Sequence, residues 1–284
     1  MRRVTKNINT NVNGIINIIP IFDVHIINAT FDKKLYEKTV KYIETHPNTY
    51  WFGGGDFCEF INFKDKRFSP GELYPDLKVG DLADIYKKEI DMFKDMTEPI
   101  LTPDKCLGMM IGNHDNKISK NGEGDMVKNI CKEYDLNYLG YSGYLRLSFS
   151  RGRSNTVRKF QIYFHHGWSA PRTQGGRVNN LVKMAYSHEC NIAVTGHAHG
   201  RVCTGPLDYG TFNGPERKYG VLCGAFKKGV DWDIETWEES RGYEQNENQM
   251  GTYIIQIKPY PTGDKPMEYR VLEFEPDWNI GDDF

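Results

Sequence analysis

Short apolar runs of the β-strand kind alternate with amphipathic segments through the first two-thirds of the chain. The apolar runs predict strands at Ile15–Phe22, Thr49–Gly53, Cys106–Ile111, Gln161–His165 and Asn191–Thr195. Between them, apolar residues that recur every three or four positions predict helices. These helices are Lys33–Thr45, Leu82–Met96, Asp125–Tyr134 and Arg177–Ser187. Strands that alternate with crossover helices are typical of an α/β fold.

The pattern changes after about Val202, where strands and turns replace helices. Strands are predicted at Tyr219–Phe226, Thr252–Ile257 and Tyr269–Phe274, with a turn at Pro259–Asp264. We expect these strands to form a second sheet packed on the first. The segment Lys227–Met250 shows no periodicity and predicts a long loop, which makes it a candidate functional element. Because no linker or repeat interrupts the chain, one domain over residues 1–284 is predicted, with the second-sheet strands and the long loop in 202–284.

Composition and charge narrow the class of protein. The chain has 284 residues, 39% of them hydrophobic, which is enough for a normal core. Its formal net charge of -2 argues against a protein held on a long polyanion by charge alone. The six cysteines form no C-x-x-C pair, and the N-terminal apolar stretch is interrupted by Asn17 and Pro20. A cytoplasmic protein with reduced thiols is therefore predicted. No apolar run approaches the ~20 residues that span a bilayer, so no membrane partner is expected.

Metal-compatible side chains follow each predicted strand of the first two-thirds. They are Asp23, His25, Asp56, Asn113, His114, His166, His197 and His199. Ligands of open α/β sheets collect at the carboxyl ends of strands, and five of the 8 histidines occur there. Imidazole nitrogen, carboxylate and amide oxygen without cysteine suit first-row divalent metals such as Mn, Fe or Zn. One tetrahedral ion cannot use so many ligands, so two ions are predicted, with a carboxylate such as Asp56 as the bridge.

Five short motifs occur in order between about residues 15 and 200. They are Asp23-Val24-His25, Gly55-Asp56-Phe57-Cys58-Glu59, Gly112-Asn113-His114-Asp115, His166-Gly167 and Gly196-His197-Ala198-His199. They match D-x-H, G-D-x-x-[DE], G-N-H-[DE], H-G and G-H-x-H, so the sequence resembles the calcineurin-like metallophosphoesterase family of bacterial, archaeal and phage type. The resemblance implies an αββα fold, in which two mixed β-sheets pack as a sandwich flanked by helices.

The resemblance also implies a role for each matching residue. One metal would be held by Asp23, His25, Asp56 and His199, and the other by Asp56, Asn113, His166 and His197. His114 is implied as the catalytic histidine, which stabilises or protonates the departing oxygen, and Glu59 as the acid that orients it. Two cations about 3.5–4 Å apart lower the pKa of a shared water, so a metal-bridging hydroxide is the expected nucleophile. Manganese is the favoured metal, with iron, zinc and nickel as alternatives.

A second set of polar residues follows the His166 loop and has two interpretations. Arg172, Arg177 and Asn180 either bind a substrate phosphate through hydrogen bonds or are solvated loop and helix-start residues. His165 is expected to be structural, because successive side chains of a strand point to opposite faces and only one of the two adjacent histidines can face the site.

The long loop and the details of the motifs bear on the substrate. Trp232, Trp237 and Tyr243 either stack on a base or sugar ring or pin the loop to the body, and the acidic residues around them favour a compact phosphate over extended duplex DNA. The segment after Gly55 lacks the G-D-x-V-D-R-G motif of protein serine/threonine phosphatases. Glu59 stands where purple acid phosphatases carry a metal-binding tyrosine. A phosphodiesterase or phosphomonoesterase is therefore predicted.

Two other functions stay open at this point. A DNA exonuclease or endonuclease related to the recombination-repair nucleases would use the same metal site on a nucleic-acid substrate. A non-catalytic scaffold with this fold, as in a retromer subunit, is expected to have lost ligands, whereas all seven are present here. The sequence does not identify the natural substrate, which is either a small molecule or a nucleic acid. It does not determine the oligomeric state either.

Overall fold

Two six-stranded sheets and the helices that flank them form the computed structural model, which describes residues 1–61, 68, 70–120, 124–152, 156–211, 214–242, 249–263 and 265–277. The strands are β1 Arg2–Asn9, β2 Ile16–Ile21, β3 Thr49–Gly53, β4 Cys106–Met110, β5 Tyr138–Gly140, β6 Ser142–Ser150, β7 Arg158–His165, β8 Ile192–Thr195, β9 Val202–Thr211, β10 Gly214–Leu222, β11 Thr252–Lys258 and β12 Glu268–Phe274. The α-helices are α1 Lys33–Thr45, α2 Ile85–Thr97, α3 Asp115–Lys120, α4 Met126–Glu133, α5 Gln174–Ser187 and α6 Trp237–Ser240.

Both sheets mix parallel and antiparallel strands. The first has the order β12-β11-β2-β3-β4-β5, in which β2 to β5 are parallel and β11 runs antiparallel to β2. The second has the order β1-β6-β7-β8-β10-β9, in which β7, β8 and β10 are parallel. The predicted fold class, two mixed sheets with flanking helices, is confirmed.

Alternation along the strands builds the layers of the sandwich. In β2, Ile18 belongs to the apolar cluster shared by both sheets, while Ile19 and Ile21 belong to the cluster beneath α1 and α2. A parallel strand that is covered on both faces reads as a continuous apolar run for this reason. On the far side, α5 packs Leu181 and Met184 on the outer face of the second sheet. The layers are therefore helix, sheet, sheet, helix.

Helix boundaries follow local capping groups. The Asp32 carboxylate accepts a hydrogen bond from the backbone N–H of Leu35, 2.8 Å away, and α1 begins and ends where the sequence predicts. Predicted helix Leu82–Met96 is corrected: α2 starts at Ile85, after a 3-10 segment, Val79–Asp84. None of the described helices is both long and apolar enough to cross a membrane.

The late strands differ from the expectation in their partners. They do not form a second sheet by themselves: β11 and β12 extend the first sheet, with Ile255 opposite Ile18, whereas β9 and β10 extend the second. An apolar alternation predicts a strand but does not predict which other strand it pairs with. Strand β1 is absent from the sequence prediction because it lies at a sheet edge and is mostly exposed, so it lacks an apolar run.

Candidate metal centre

The predicted ligands stand on loops that leave five strands at the same end of the sandwich. Asp23, Asp56 and Asn113 follow β2, β3 and β4 of the first sheet, whereas His166 and the His197 loop follow β7 and β8 of the second. Ligand atoms from the two sheets come together, because Asp56 Oδ2 lies 3.1 Å from His166 Nε2. All seven predicted ligands therefore meet in one place.

Three of the ligands form a first cluster. The ligand atoms of Asp23, His25 and His199 all lie within 4.8 Å of one another. The two imidazole Nε2 atoms of His25 and His199 are 3.0 Å apart, and Asp23 Oδ1 lies 4.0 Å from His199 Nε2. Two nitrogens and one carboxylate oxygen in this arrangement suit a first-row divalent cation.

A second cluster adjoins the first. Ligand atoms of Asp56, His166 and His197 again lie within 4.8 Å of one another. The side-chain amide of Asn113 joins them, with the amide atom that faces the cluster 3.0 Å from His166 Nε2 and 2.8 Å from His197 Nδ1. Asp23 Oδ1 is also 4.0 Å from His166 Nε2, so this oxygen stands between the two clusters.

A buried oxygen without a hydrogen-bond partner tests whether the donor set fits a metal. Asp23 Oδ1 is buried and has no hydrogen-bond partner within the described part of the chain. The side-chain amide of Asn113 also points into the second cluster, 2.8 Å from His197 Nδ1 and 3.2 Å from Asp56 Oδ2. Lone pairs that converge without a proton between them are unfavourable, and a cation among them removes the conflict. The residues therefore fit a metal.

The charges of the site respond to burial and to each other. Burial raises the pKa of Asp23 to about 8; the attraction of His166 opposes this rise and the charge of Asp56 adds to it. Burial disfavours a charged His166, but the Asp56 carboxylate outweighs it and raises the pKa of that imidazole to about 10. Burial, then the charge of His166, lowers the pKa of His197 to about 4. Carboxylates and neutral imidazoles are the metal-binding forms, so a bound cation compensates the cost of burying them together.

The backbone is strained at most of these ligands. Positive φ angles occur at Asp23 (52°), His25 (53°), Asp56 (55°), His197 (69°) and His199 (46°). This conformation is costly for residues other than glycine and persists where the surroundings enforce it. Backbone hydrogen bonds do so here: the N–H of Asp23 donates to Gly55 O, and that of His25 to Asp56 O. Strained loops thus aim the side chains inward.

Asp115 holds two of the ligand loops together. Its carboxylate accepts hydrogen bonds from the backbone N–H groups of Asp56 at 2.7 Å, Gly112 at 3.0 Å and Phe57 at 3.1 Å. Burial, then the charge of Asp56, raises the pKa of Asp115 to about 7. The sequence placed this residue in a motif without a role, and its function in positioning became visible only from these contacts.

His114 and Glu59 lie beside the first cluster. The Nδ1 atom of His114 is 2.6 Å from the backbone carbonyl oxygen of Glu59, and its ring packs edge to face on His25 with centroids 4.8 Å apart. The carboxylate of Glu59 is closer to His25, with Oε2 2.9 Å from His25 Nδ1, than to His114, with Oε1 3.6 Å from His114 Nδ1. Glu59 therefore contacts His114 through its main-chain carbonyl and His25 through its carboxylate. A carboxylate on the second nitrogen of a metal-binding imidazole fixes its orientation.

A cavity of about 260 Å³ opens onto the site. Its walls include members of both clusters (His25, His199, Asp56 and His197), Asn113, His114 and residues that the motifs did not indicate: Glu72, Ala170, Lys227, Trp237 and Glu238. Lys227 is buried, and its ammonium lies 2.5 Å from the carboxylate of Glu238. Lys227, Trp237 and Glu238 fall in the segment 227–250, which the sequence predicted as a candidate functional loop, whereas Glu72 and Ala170 had no sequence signal.

The three candidate substrate-binding residues differ in whether they line this cavity. Arg177 lines the cavity. Arg172 is exposed and donates to the carbonyl oxygen of Arg241, and Asn180 donates to Ser169 Oγ; neither lines this cavity. His165 accepts a hydrogen bond from the N–H of Gly167 and belongs to neither ligand cluster.

The two tryptophans of the long loop lie in different environments. Trp237 lines the cavity, whereas Trp232 is fully exposed. Tyr243 lies outside the described residues.

Comparisons with known proteins give distant likenesses. No family profile and no curated protein matches the chain. Among solved structures, zinc-complexed Vps29 from Entamoeba histolytica shares 10% identity at a TM-score of 0.35, covering 92% of this chain and 100% of its own. A metallophosphoesterase from Sphaerobacter thermophilus shares 11% at 0.37, covering 92% and 90%. A purple acid phosphatase from yellow lupin (Lupinus luteus) shares 13% at 0.40, covering 90% and 51%.

Proposed function

We propose that this chain is a dinuclear metal-dependent phosphoesterase of the calcineurin-like type, which hydrolyses phosphodiester or phosphomonoester bonds. The observation that carries the proposal is the pair of adjoining ligand clusters, with the unpartnered oxygen of Asp23 between them. A scaffold does not require this convergence of buried acceptors, whereas a two-metal site does.

The ligand assignment follows from the clusters. Asp23, His25 and His199 would hold one ion, and Asn113, His166 and His197 the other. Asp56 would be shared, as the motif resemblance implies: its carboxylate lies against His166 in the second cluster, and Asp56 lines the same cavity as His25 and His199 of the first. When bound, two such ions lower the pKa of a shared water and neutralise the phosphate. Manganese is the first metal to test, with iron, zinc and nickel as alternatives.

The protein's own residues supply the remaining chemistry. His114 lines the cavity with its Nδ1 engaged by the Glu59 carbonyl, which orients the ring towards the place where a leaving oxygen would develop charge. Glu59 aligns His25 in the same way through its carboxylate. The small cavity favours a compact phosphate ester over a long duplex. We place the enzyme in the cytoplasm.

An activity screen with added Mn²⁺ tests this function. The substrates are bis-p-nitrophenyl phosphate, p-nitrophenyl phosphate, cyclic nucleotides, and single- and double-stranded DNA, and metal content is measured on the same preparations. We expect turnover of at least one small ester, lost in His199→Ala and kept in His46→Ala, whose histidine caps α1 outside the cavity. Metal-loaded protein that cleaves none of these substrates would contradict the proposal, and a preference for DNA would move it to the nuclease class.

A further inference from the structure

Arg177 is a buried cation in the wall of the metal cavity. It stands in the first turn of α5 and is 9% exposed. Its guanidinium donates through Nε to the carbonyl oxygen of Pro171 at 3.1 Å and through a terminal nitrogen to Gln249 Oε1 at 2.8 Å. Both acceptors are neutral. No carboxylate lies within ion-pair distance of Arg177 in the part of the chain that the structure describes.

Two other cations, buried Lys227 and half-buried Arg201, differ from Arg177 in this respect. Lys227 is paired with Glu238 at 2.5 Å, and Arg201 with Glu273 at 2.7 Å. A buried charge without an opposite charge is costly. Burial lowers the pKa of Arg177, and among the described residues no anion offsets that shift. Arg177 lines the metal cavity, and it also borders a smaller pocket beside Trp168 and Asn180 that contains no metal-ligand side chain.

The backbone of the ligand loop makes room for this guanidinium. A Cβ atom at Gly200 would lie 2.2 Å from the terminal nitrogen NH1 of Arg177, so a side chain there would collide with it. Gly200 directly follows His199, a ligand of the first cluster. The guanidinium therefore packs on the segment that carries a metal ligand, and both Arg177 and His199 line the same cavity.

We propose that Arg177 binds an anionic oxygen of the substrate phosphate in this cavity. The inference rests on the proposed function for the identity of the substrate, but the anion site itself does not require turnover. A guanidinium presents paired N–H donors that match phosphate oxygens, and charge-assisted bonds of this kind are among the strongest in proteins. Arg172 and Asn180, which are near Arg177 in sequence, take no part, because neither lines the cavity.

Binding of inorganic phosphate tests the proposal without any ester. The Mn-loaded protein is titrated with phosphate by calorimetry, and metal content is measured in each variant. We expect Arg177→Met to keep its metals and to bind phosphate about ten- to hundredfold more weakly. Arg177→Lys, which keeps the charge but not the fork of donors, is expected to fall between the two. It also keeps the test available if the methionine variant does not fold.

Arg172→Met is the matched control, because it removes an arginine five residues earlier that is exposed and outside the cavity. Its phosphate affinity should equal that of the wild type. Unchanged phosphate affinity in metal-replete Arg177→Met and Arg177→Lys would overturn the proposal. If the wild type hydrolyses no ester but its phosphate binding still depends on Arg177, the proposed function fails while the anion site stands. If the wild type hydrolyses an ester but its phosphate affinity does not depend on Arg177, the proposed function stands and the anion site fails.

Discussion

The carboxylate of Asp56 contacts residues from two different loops of the site. One carboxylate oxygen accepts from the N–H of His114 at 2.7 Å, and the other lies 3.1 Å from His166 Nε2. Asp56→Asn keeps the shape but removes the charge that would be shared by both ions. We expect it to lose both metals and more than about 100-fold in turnover, since even residues that only support metal ligands are worth 10–100-fold.

Metal content and turnover, measured on the same preparation, check this prediction. His199→Ala is the comparison, because His199 belongs only to the first cluster and should affect mainly one ion. If Asp56→Asn keeps two tightly held metals and normal turnover, Asp56 is not the bridge.

His114 is adjacent in sequence to a predicted ligand, but we expect it to act on the leaving group of the substrate rather than to bind a metal. Because its Nδ1 contacts the Glu59 carbonyl and its ring lines the cavity, His114→Ala should retain both metals. General acid catalysis is worth about 10²–10⁴-fold, so activity on an alkyl or nucleotide ester should fall by that factor. The loss should be much smaller on an activated aryl ester, whose leaving group needs no proton.

Rates measured against the pKa of the leaving group decide the role of His114. A metal-replete variant with an unchanged Brønsted slope would remove this histidine from the mechanism. Loss of metal together with activity would make it a ligand instead.

At the scale of the elements, the loops after β3 and β4 approach too closely for any side chain at Gly55. Its φ is +93°, and a Cβ atom there would lie 2.4 Å from Gly112 N. Strain and overpacking should make Gly55→Ala less stable by about 2–4 kcal/mol in the free energy of unfolding. Urea denaturation measures this loss, and metal content should fall with it.

Gly175→Ala in the first turn of α5 is the control for this substitution. A Cβ atom at Gly175 meets nothing within 4 Å. Alanine is the better helix former, so stability should stay equal or rise by at most about 1 kcal/mol. Equal stability of the two variants would show that the two loops do not need their close contact.

Elements were predictable from the sequence to different degrees. Helix α1 was predicted residue for residue, since its Asp32 cap and its apolar spacing are local signals. Strand β1 was missed because an exposed edge strand carries no apolar pattern. The partners of β10 and β11 were also missed, because strand pairing depends on residues far apart in the chain.

At the scale of the whole molecule, the cysteines are distributed through the core. All six are free, and all except Cys203 are buried. Burial raises the pKa of the Cys203 thiol to about 11 and that of the Cys190 thiol also to about 11. Since the thiolate is the reactive form, we expect slow modification of the native protein, first at Cys203. Denatured, unreduced protein should titrate six thiols, and a lower number in fresh protein would reveal a disulfide.

By itself, the sequence determined the α/β class and the identities of the seven candidate ligands, together with His114. These follow from local patterns: apolar runs mark buried strands, and polar residues directly after them mark the strand ends where ligands collect. Only the tertiary structure decided that Asp23 Oδ1 stands between two clusters, that Asp115 ties two loops, and that Arg177 alone of its three candidates reaches the cavity. The physical reason is that such contacts join residues far apart in the chain, and their distances depend on how the strands and sheets pack rather than on neighbours in sequence.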